Sequence, residues 1–136
     1  MFVSQVKVRG YHLDIYQHVN NARYLEFLEE ARWGFFEQFP LAEKVHAHNY
    51  AFVLVNININ YRRPAFVNEV LEIRTQVSRI GNKSCTIYQA MVLKGTDTLV
   101  ADADVTFCVL DQEAHKAVVI EGEIRELLQT MSAVDG

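Results

Sequence analysis

At 136 residues the chain is long enough to bury one substantial core and too short for two. Half of its residues are hydrophobic, 22% are charged and the net charge is −4, so it reads as a globular chain without bulk attraction to nucleic acid or an anionic membrane. No apolar run approaches the roughly 20 residues that span a bilayer, which excludes stable membrane insertion by a helix.

Phe2 to Arg9 alternates weakly and is expected to form a first strand, with Val3, Val6 and Val8 as its apolar positions. The segment carries Lys7 and Arg9 and lacks an apolar h-region or cleavage site, so a cytoplasmic protein is expected. Gly10 breaks the strand. The run Asp14-Ile-Tyr-Gln-His18-Val-Asn20-Asn21-Ala-Arg-Tyr24 follows, packing a carboxylate, an imidazole and two asparagine amides just ahead of a helical pattern. From Asn21 to Phe39, Tyr24, Phe27 or Leu28, Ala31 and Phe35 recur at helical spacing, while Glu26, Glu29, Glu30 and Arg32 occupy much of the rest. Asn20 is a suitable N-cap, Pro40 stops the helix, and Leu41 to Asn49 reads as a short connection with room for one helical turn.

Four strand-like segments come next. Ala51 to Arg63 alternates, with Val53, Val55, Ile57, Ile59 and Tyr61 expected on one face of a central strand and Asn56, Asn58 and Asn60 on the other. Such an asparagine face suits either contact with a second subunit or solvent. Glu69 to Ile80 ends at the turn signal Gly81-Asn82; Lys83 to Lys94 and Thr98 to Leu110 complete the set. Glu121 to Met131 closes the chain as an amphipathic helix with Ile124, Leu127, Leu128 and Met131 inward. Cys85 and Cys108 stand alone in apolar strands and are expected as buried thiols outside any disulfide or zinc framework. The order implies an α+β domain over residues 1–136, one long helix against an antiparallel sheet.

Asp14 is the candidate catalytic carboxylate. It lies too far ahead of the helix to cap it, which leaves an Asx-turn as the structural alternative. His18 could act as base, hydrogen-bond donor or partner to Asp14, or be a local surface residue. A metal set drawn from His12, Asp14, His18, His46 and His48 matches no known spacing, so no metal and no cofactor are expected. Asn21, as the first helical residue, would present an unbonded N–H at the positive end of the helix dipole, where an oxyanion would be stabilised; a second capping amide is the plainer role. Arg62, Arg63 and Lys83 are turn-side cations, of interest only if a ligand carries phosphates. Nucleotide-binding glycine loops and the Gly-x-Ser-x-Gly elbow are missing, so a serine hydrolase is not supported.

The stretch VRGYHLDIYQHVNNARYLEFLEEAR, Val8 to Arg32, resembles the 4-hydroxybenzoyl-CoA thioesterase-like family of hotdog-fold proteins, bacterial long-chain acyl-CoA thioesterases in particular. NINYRRPA (Asn58 to Ala65) and ADADVTF (Ala101 to Phe107) fit the same pattern. The resemblance implies a five-stranded antiparallel sheet wrapped around one long helix, homodimers or homotetramers with interfacial active sites, and an acyl-CoA substrate. It puts the family's loop aspartate at Asp14 and its carbonyl-polarising backbone N–H at Asn21, with His18 and Asn20 in the shared His-Val-Asn-Asn run. Plant acyl-carrier-protein thioesterases have an asparagine two residues after the aspartate, where this chain has Tyr16. Tyr24, Phe27 and Phe52 are then expected beside the acyl chain, and Arg62, Arg63 and Lys83 near coenzyme A phosphates. A hotdog hydratase or dehydratase is the rival, but its Asp-x₄-His spacing differs from Asp14-x₃-His18. A non-catalytic acyl-thioester binding protein is the other.

Overall fold

The computed structural model describes residues 1–133. Strand β1 (Phe2–Lys7) leads through a single 3₁₀ turn, Gly10–His12, and a short hairpin into helix α1 (Asn21–Glu37). Helix α2 (Leu41–Ala47) occupies the expected connection; strands β2 (Tyr50–Tyr61), β3 (Val70–Ile80), β4 (Ser84–Leu93) and β5 (Leu99–Asp111) follow. A two-residue strand β6 (Lys116–Ala117), too short to carry a sequence pattern, precedes helix α3 (Gly122–Ala133). The sheet is antiparallel with order β1-β3-β4-β5-β2, and β6 adds to β5 at Leu110 and Asp111. This is the hotdog arrangement, a curled sheet around one long helix.

Alternation places the core. On β3, Leu71, Ile73, Thr75 and Val77 turn inward; on β4, Cys85, Ile87, Gln89 and Met91; on β5, Ala101, Ala103, Val105, Phe107 and Val109. Against them α1 presses Tyr24, Phe27, Leu28, Ala31 and Phe35. Gly34 sits inside α1 despite its low helix propensity, because a Cβ there would come within 2.9 Å of the Phe2 ring. Helix α3 covers β3 and α2 with Ile124, Leu128 and Met131, while Leu127 is half-buried.

Several expectations need correction. On β1 the inward positions are Phe2, Ser4, Val6 and then Val8, so Val3 faces out. Strand β2 is an edge, not a central strand. A β-bulge between Leu54 and Asn56 leaves Val55 opposite no residue of β5 and shifts the parity there. Phe52 and Leu54 therefore share the face of Ile57, Ile59 and Tyr61, opposite the inward Val109, Phe107, Val105, Ala103 and Ala101, whereas Val53 pairs with outward Cys108. Arg32, which the helical pattern puts among the polar positions of α1, is buried, with its Nη1 donating to Gln89 Oε1. Cys85 is buried and its thiol is pushed up to about 12 by loss of hydration, but Cys108 is only half-buried.

Candidate active site at the start of the long helix

The loop before α1 folds into a small hairpin. Leu13 and Val19 form an antiparallel bridge, the Asp14 N–H donates to the His18 carbonyl (3.2 Å), and the Gln17 N–H donates to the Asp14 carbonyl (3.0 Å). Gln17 takes φ 65°, the left-handed residue such a three-residue turn requires. Asp14 Oδ1 accepts from the Tyr16 N–H at 2.9 Å, the Asx-turn anticipated as its structural role. Among the described residues its second oxygen, Oδ2, accepts no hydrogen bond. The turn thus orients the carboxylate and leaves one oxygen available. Ile15 and Tyr16, at the tip, are exposed.

Main-chain bonds carry the hairpin onto the helix. The Val19 N–H donates to the Ala65 carbonyl and the Asn20 N–H to the His12 carbonyl, both at 2.9 Å. Asn20 has extended backbone angles and its side-chain oxygen accepts from the Ala22 N–H at 2.9 Å, the expected N-cap. Asn21 begins the helix, and no acceptor meets its N–H among the described residues. That amide therefore points outward with the positive end of the helix dipole behind it. The Asn21 carbonyl accepts from the Tyr61 hydroxyl at 3.1 Å, which ties the helix start to the end of β2.

His12, weighed from the sequence only as a metal ligand, has a structural place instead. It is buried, its Nδ1 accepts from the Arg9 N–H at 2.8 Å, and its ring meets Phe27 edge-on at 4.8 Å. With Nδ1 accepting, the neutral ring carries its proton on Nε2. Burial, followed by the Arg23 charge, lowers its pKa from the ordinary value. A histidine three residues after Arg9, in the turn where β1 stops, was the available signal. His18 behaves differently. Its ring stacks on Tyr16 at 6.1 Å and meets Phe66 edge-on at 6.3 Å, and among the described residues no hydrogen bond joins that ring to the Asp14 carboxylate.

The remaining candidates divide among separate places. Tyr24 is buried, with its hydroxyl accepting from the Ala65 N–H at 3.0 Å; burial raises its pKa. Phe27 lines a cavity of about 240 Å³ between α1 and β1, whereas Phe52 lines one of about 590 Å³ between α1, α2 and β2. The two rings flank opposite sides of α1. Arg62 makes a two-point contact with Asp102 at 3.2 and 3.3 Å, and Arg63 one with Glu69 at 3.0 and 2.8 Å. That pairing, ahead of all other causes, lowers the Glu69 pKa. Lys83 is exposed in the β3–β4 turn, at the opposite end of the sheet from the Asp14 hairpin. Among the described residues no group of three or more His, Cys, Asp or Glu is arranged to hold a metal ion.

An open N–H at the helix start and an oriented carboxylate seven residues before it in the chain suit addition to an electrophilic carbonyl. Residues 8–128 match the family profile of the thioesterase-like superfamily. The chain belongs to that superfamily, and it is a thioester hydrolase. It is 53% identical over 128 residues to the long-chain acyl-CoA thioesterase FadM of Escherichia coli strain K12, covering 94% of this chain and 97% of that one. The crystal structure of the probable thioesterase YbaW from Escherichia coli superposes with a TM-score of 0.92 at 52% identity, covering 97% of this chain and 99% of the other. A 1,4-dihydroxy-2-naphthoyl-CoA thioesterase from Synechocystis shares the fold, with a TM-score of 0.82 at 17% identity over 99% of this chain and 98% of that one. No helix among the described residues is long and apolar enough to cross a membrane.

Proposed function

We propose that this thioesterase hydrolyses long-chain fatty acyl-CoA to the free fatty acid and coenzyme A in the cytoplasm. One observation carries the reading: the first amide of α1 opens outward beside a hairpin that presents Asp14 with one carboxylate oxygen unengaged. Identity of 53% to a long-chain acyl-CoA thioesterase over nearly its whole length supports the substrate class.

In this mechanism the thioester carbonyl oxygen accepts from the Asn21 N–H. Asp14 then acts in one of two ways. Its free oxygen adds to the carbonyl carbon, giving an anhydride that water opens, or it takes a proton from a water whose oxygen adds instead. Either way the carbonyl oxygen becomes an oxyanion, and one such backbone donor stabilises it by about 3–4 kcal/mol. The C–S bond then breaks with its electron pair on sulfur. Thiolate is a good leaving group, so no strong general acid is needed. His18, held by its ring contacts, orients water or substrate. Arg62 has a half-exposed side chain and is the cation best able to turn from Asp102 toward a phosphate. Arg63 is committed to Glu69, and Lys83 would contribute only from a second copy of the chain. The edge of β2, which no strand pairs among the described residues, is where such a copy would join to form a homodimer, or a homotetramer of paired dimers, with sites at the interface; light scattering reads that assembly.

The test is thiol release from palmitoyl-CoA by wild type and Asp14→Asn. The substitution keeps the size of the side chain and is expected to cut turnover by about 10²–10⁴ without lowering thermal stability. Wild-type turnover by a folded, correctly assembled variant would sink the Asp14 assignment.

A further inference from the structure

Helix α1 buries one cation without a matching anion. Arg32 is only 7% exposed, and no carboxylate lies within ion-pairing distance of it among the described residues. Its Nη1 donates to Gln89 Oε1 at 3.0 Å, and its guanidinium carbon lies 5.9 Å from the centroid of Phe107. Gln89 has nothing further to give. Its amide nitrogen donates to the Leu28 carbonyl (3.0 Å) and the Thr75 hydroxyl (3.1 Å), which fixes the amide with its oxygen toward Arg32. A guanidinium has five N–H donors, so most of Arg32's hydrogen-bonding capacity is unmatched.

The Phe107 ring is also a wall of the 590 Å³ cavity, together with Trp33, Phe36, Leu41 and Phe52, and Arg32 itself lines that space. The volume falls within the range of small-molecule sites. Glu29 reaches the same cavity one turn earlier on α1; its charge acts on Arg32 through space and partly opposes the lowering of the Arg32 pKa by burial, but it is exposed and forms no ion pair with it. A buried charge without a counter-ion is costly, and the complement of an apolar cavity with one such cation is an anion on an aliphatic body. Arg32 lies eleven residues beyond Asn21, roughly 17 Å along the helix. The cation is therefore well removed from the reacting carbonyl.

We propose that this cavity binds the carboxylate end of a long aliphatic chain, with Arg32 as its counter-ion. The aliphatic character rests on the fatty acyl reading above; the carboxylate does not. Two sources present this chemistry. A free fatty acid can enter carboxylate-first and inhibit as product, or an acyl thioester can carry a second carboxylate at its far end and be a favoured substrate.

Calorimetric binding of laurate and of 1-dodecanol to the wild-type protein tests the charge directly. Laurate is expected to bind roughly thirtyfold or more tightly than the alcohol. Arg32→Met should remove that difference by weakening laurate alone, and Arg32→Lys should restore part of it. Equal wild-type binding of acid and alcohol overturns the proposal even if the methionine variant does not fold. So does a laurate preference that Arg32→Met leaves intact. Comparing kcat/KM for dodecanoyl-CoA and dodecanedioyl-CoA then assigns the source: a wild-type preference for the diacid thioester favours the substrate tail, while equal rates with laurate inhibition favour the product. Arg32-dependent laurate binding without any thiol release would defeat the acyl-CoA hydrolase reading and leave this one standing.

Discussion

At the start of α1, polar groups are held by main-chain hydrogen bonds among neighbours in sequence, whereas eleven residues further on a cavity is built from side chains of α1, α2, β2 and β5. The first region has little freedom. Asp14, Asn20 and Asn21 are each placed by a turn, a cap or a bridge that ties them to backbone atoms. The second region is a set of rings, Phe36, Phe52 and Phe107, with mutual centroid distances of 5.1–6.2 Å and no hydrogen bond to fix them. Chemistry that needs an oxyanion within hydrogen-bond reach suits the rigid end, since a small misplacement is costly there. Selection of an aliphatic chain suits the other, where apolar contact area matters more than angle.

The largest effect that would separate the two regions is removal of a single backbone hydrogen. Proline is favoured at the first position of a helix, and Asn20 already has the extended angles that a residue before proline needs. Asn21→Pro is therefore expected to leave α1 intact and lower kcat about 10²–10³-fold, while Asn21→Ala, which keeps the N–H, changes it little. Circular dichroism and thiol release on both variants check this. Equal losses would show that the Asn21 side chain, not its backbone, acts on the substrate.

His12 supports the rigid end from below, because its carbonyl accepts the Asn20 N–H while its ring accepts the Arg9 N–H. Replacing it with alanine removes a buried acceptor and opens space beside Phe27, a loss of about 2 kcal/mol in urea unfolding. The pH dependence has a definite sign. The folded pKa lies below the ordinary value of 6.5, so the unfolded state takes up the proton first as pH falls. Its contribution is full above that value and lost as pH drops through the folded pKa. The stability difference between wild type and His12→Ala should accordingly shrink from pH 7.5 to pH 5. A constant difference would mean that the ring's proton is not what couples this turn to the fold.

The contrast also explains what could be read from the chain beforehand. Asn20 as cap, Asn21 as first helical residue and Asp14 in a turn all depend on residues within a few positions of one another, so local spacing sufficed. The extents of β3, β4 and β5 were likewise legible as strand-like segments between turn signals. The cavity depends on contacts between distant segments. Arg32, beside three glutamates in the helical pattern, read as surface charge; Gln89, fifty-seven residues later, is what receives it. The bulge at Val55 hid in an unbroken apolar run, since Val53, Leu54 and Val55 fit either register until pairing with β5 selects one. Phe27 and Phe52, expected together beside the acyl chain, line separate cavities, because helical spacing marks Phe27 as buried without saying which flank of α1 it serves.

Phe52 offers the finest cut between the regions. It is half-buried, stacks on Phe107 at 5.1 Å and forms part of the cavity wall, far from the Asp14 hairpin along α1 and β2. If the cavity receives the distal part of an acyl chain, Phe52→Ala should raise KM for palmitoyl-CoA by about tenfold, the loss expected from one or two methylene contacts. Octanoyl-CoA, too short to depend on those contacts, should keep its KM, and kcat for both should stay within a factor of two or so of wild type, since the oxyanion donor is untouched. A parallel loss for the two chain lengths would place the effect of Phe52 at the reacting end, and the division of α1 into a chemical end and a selecting end would have to be abandoned.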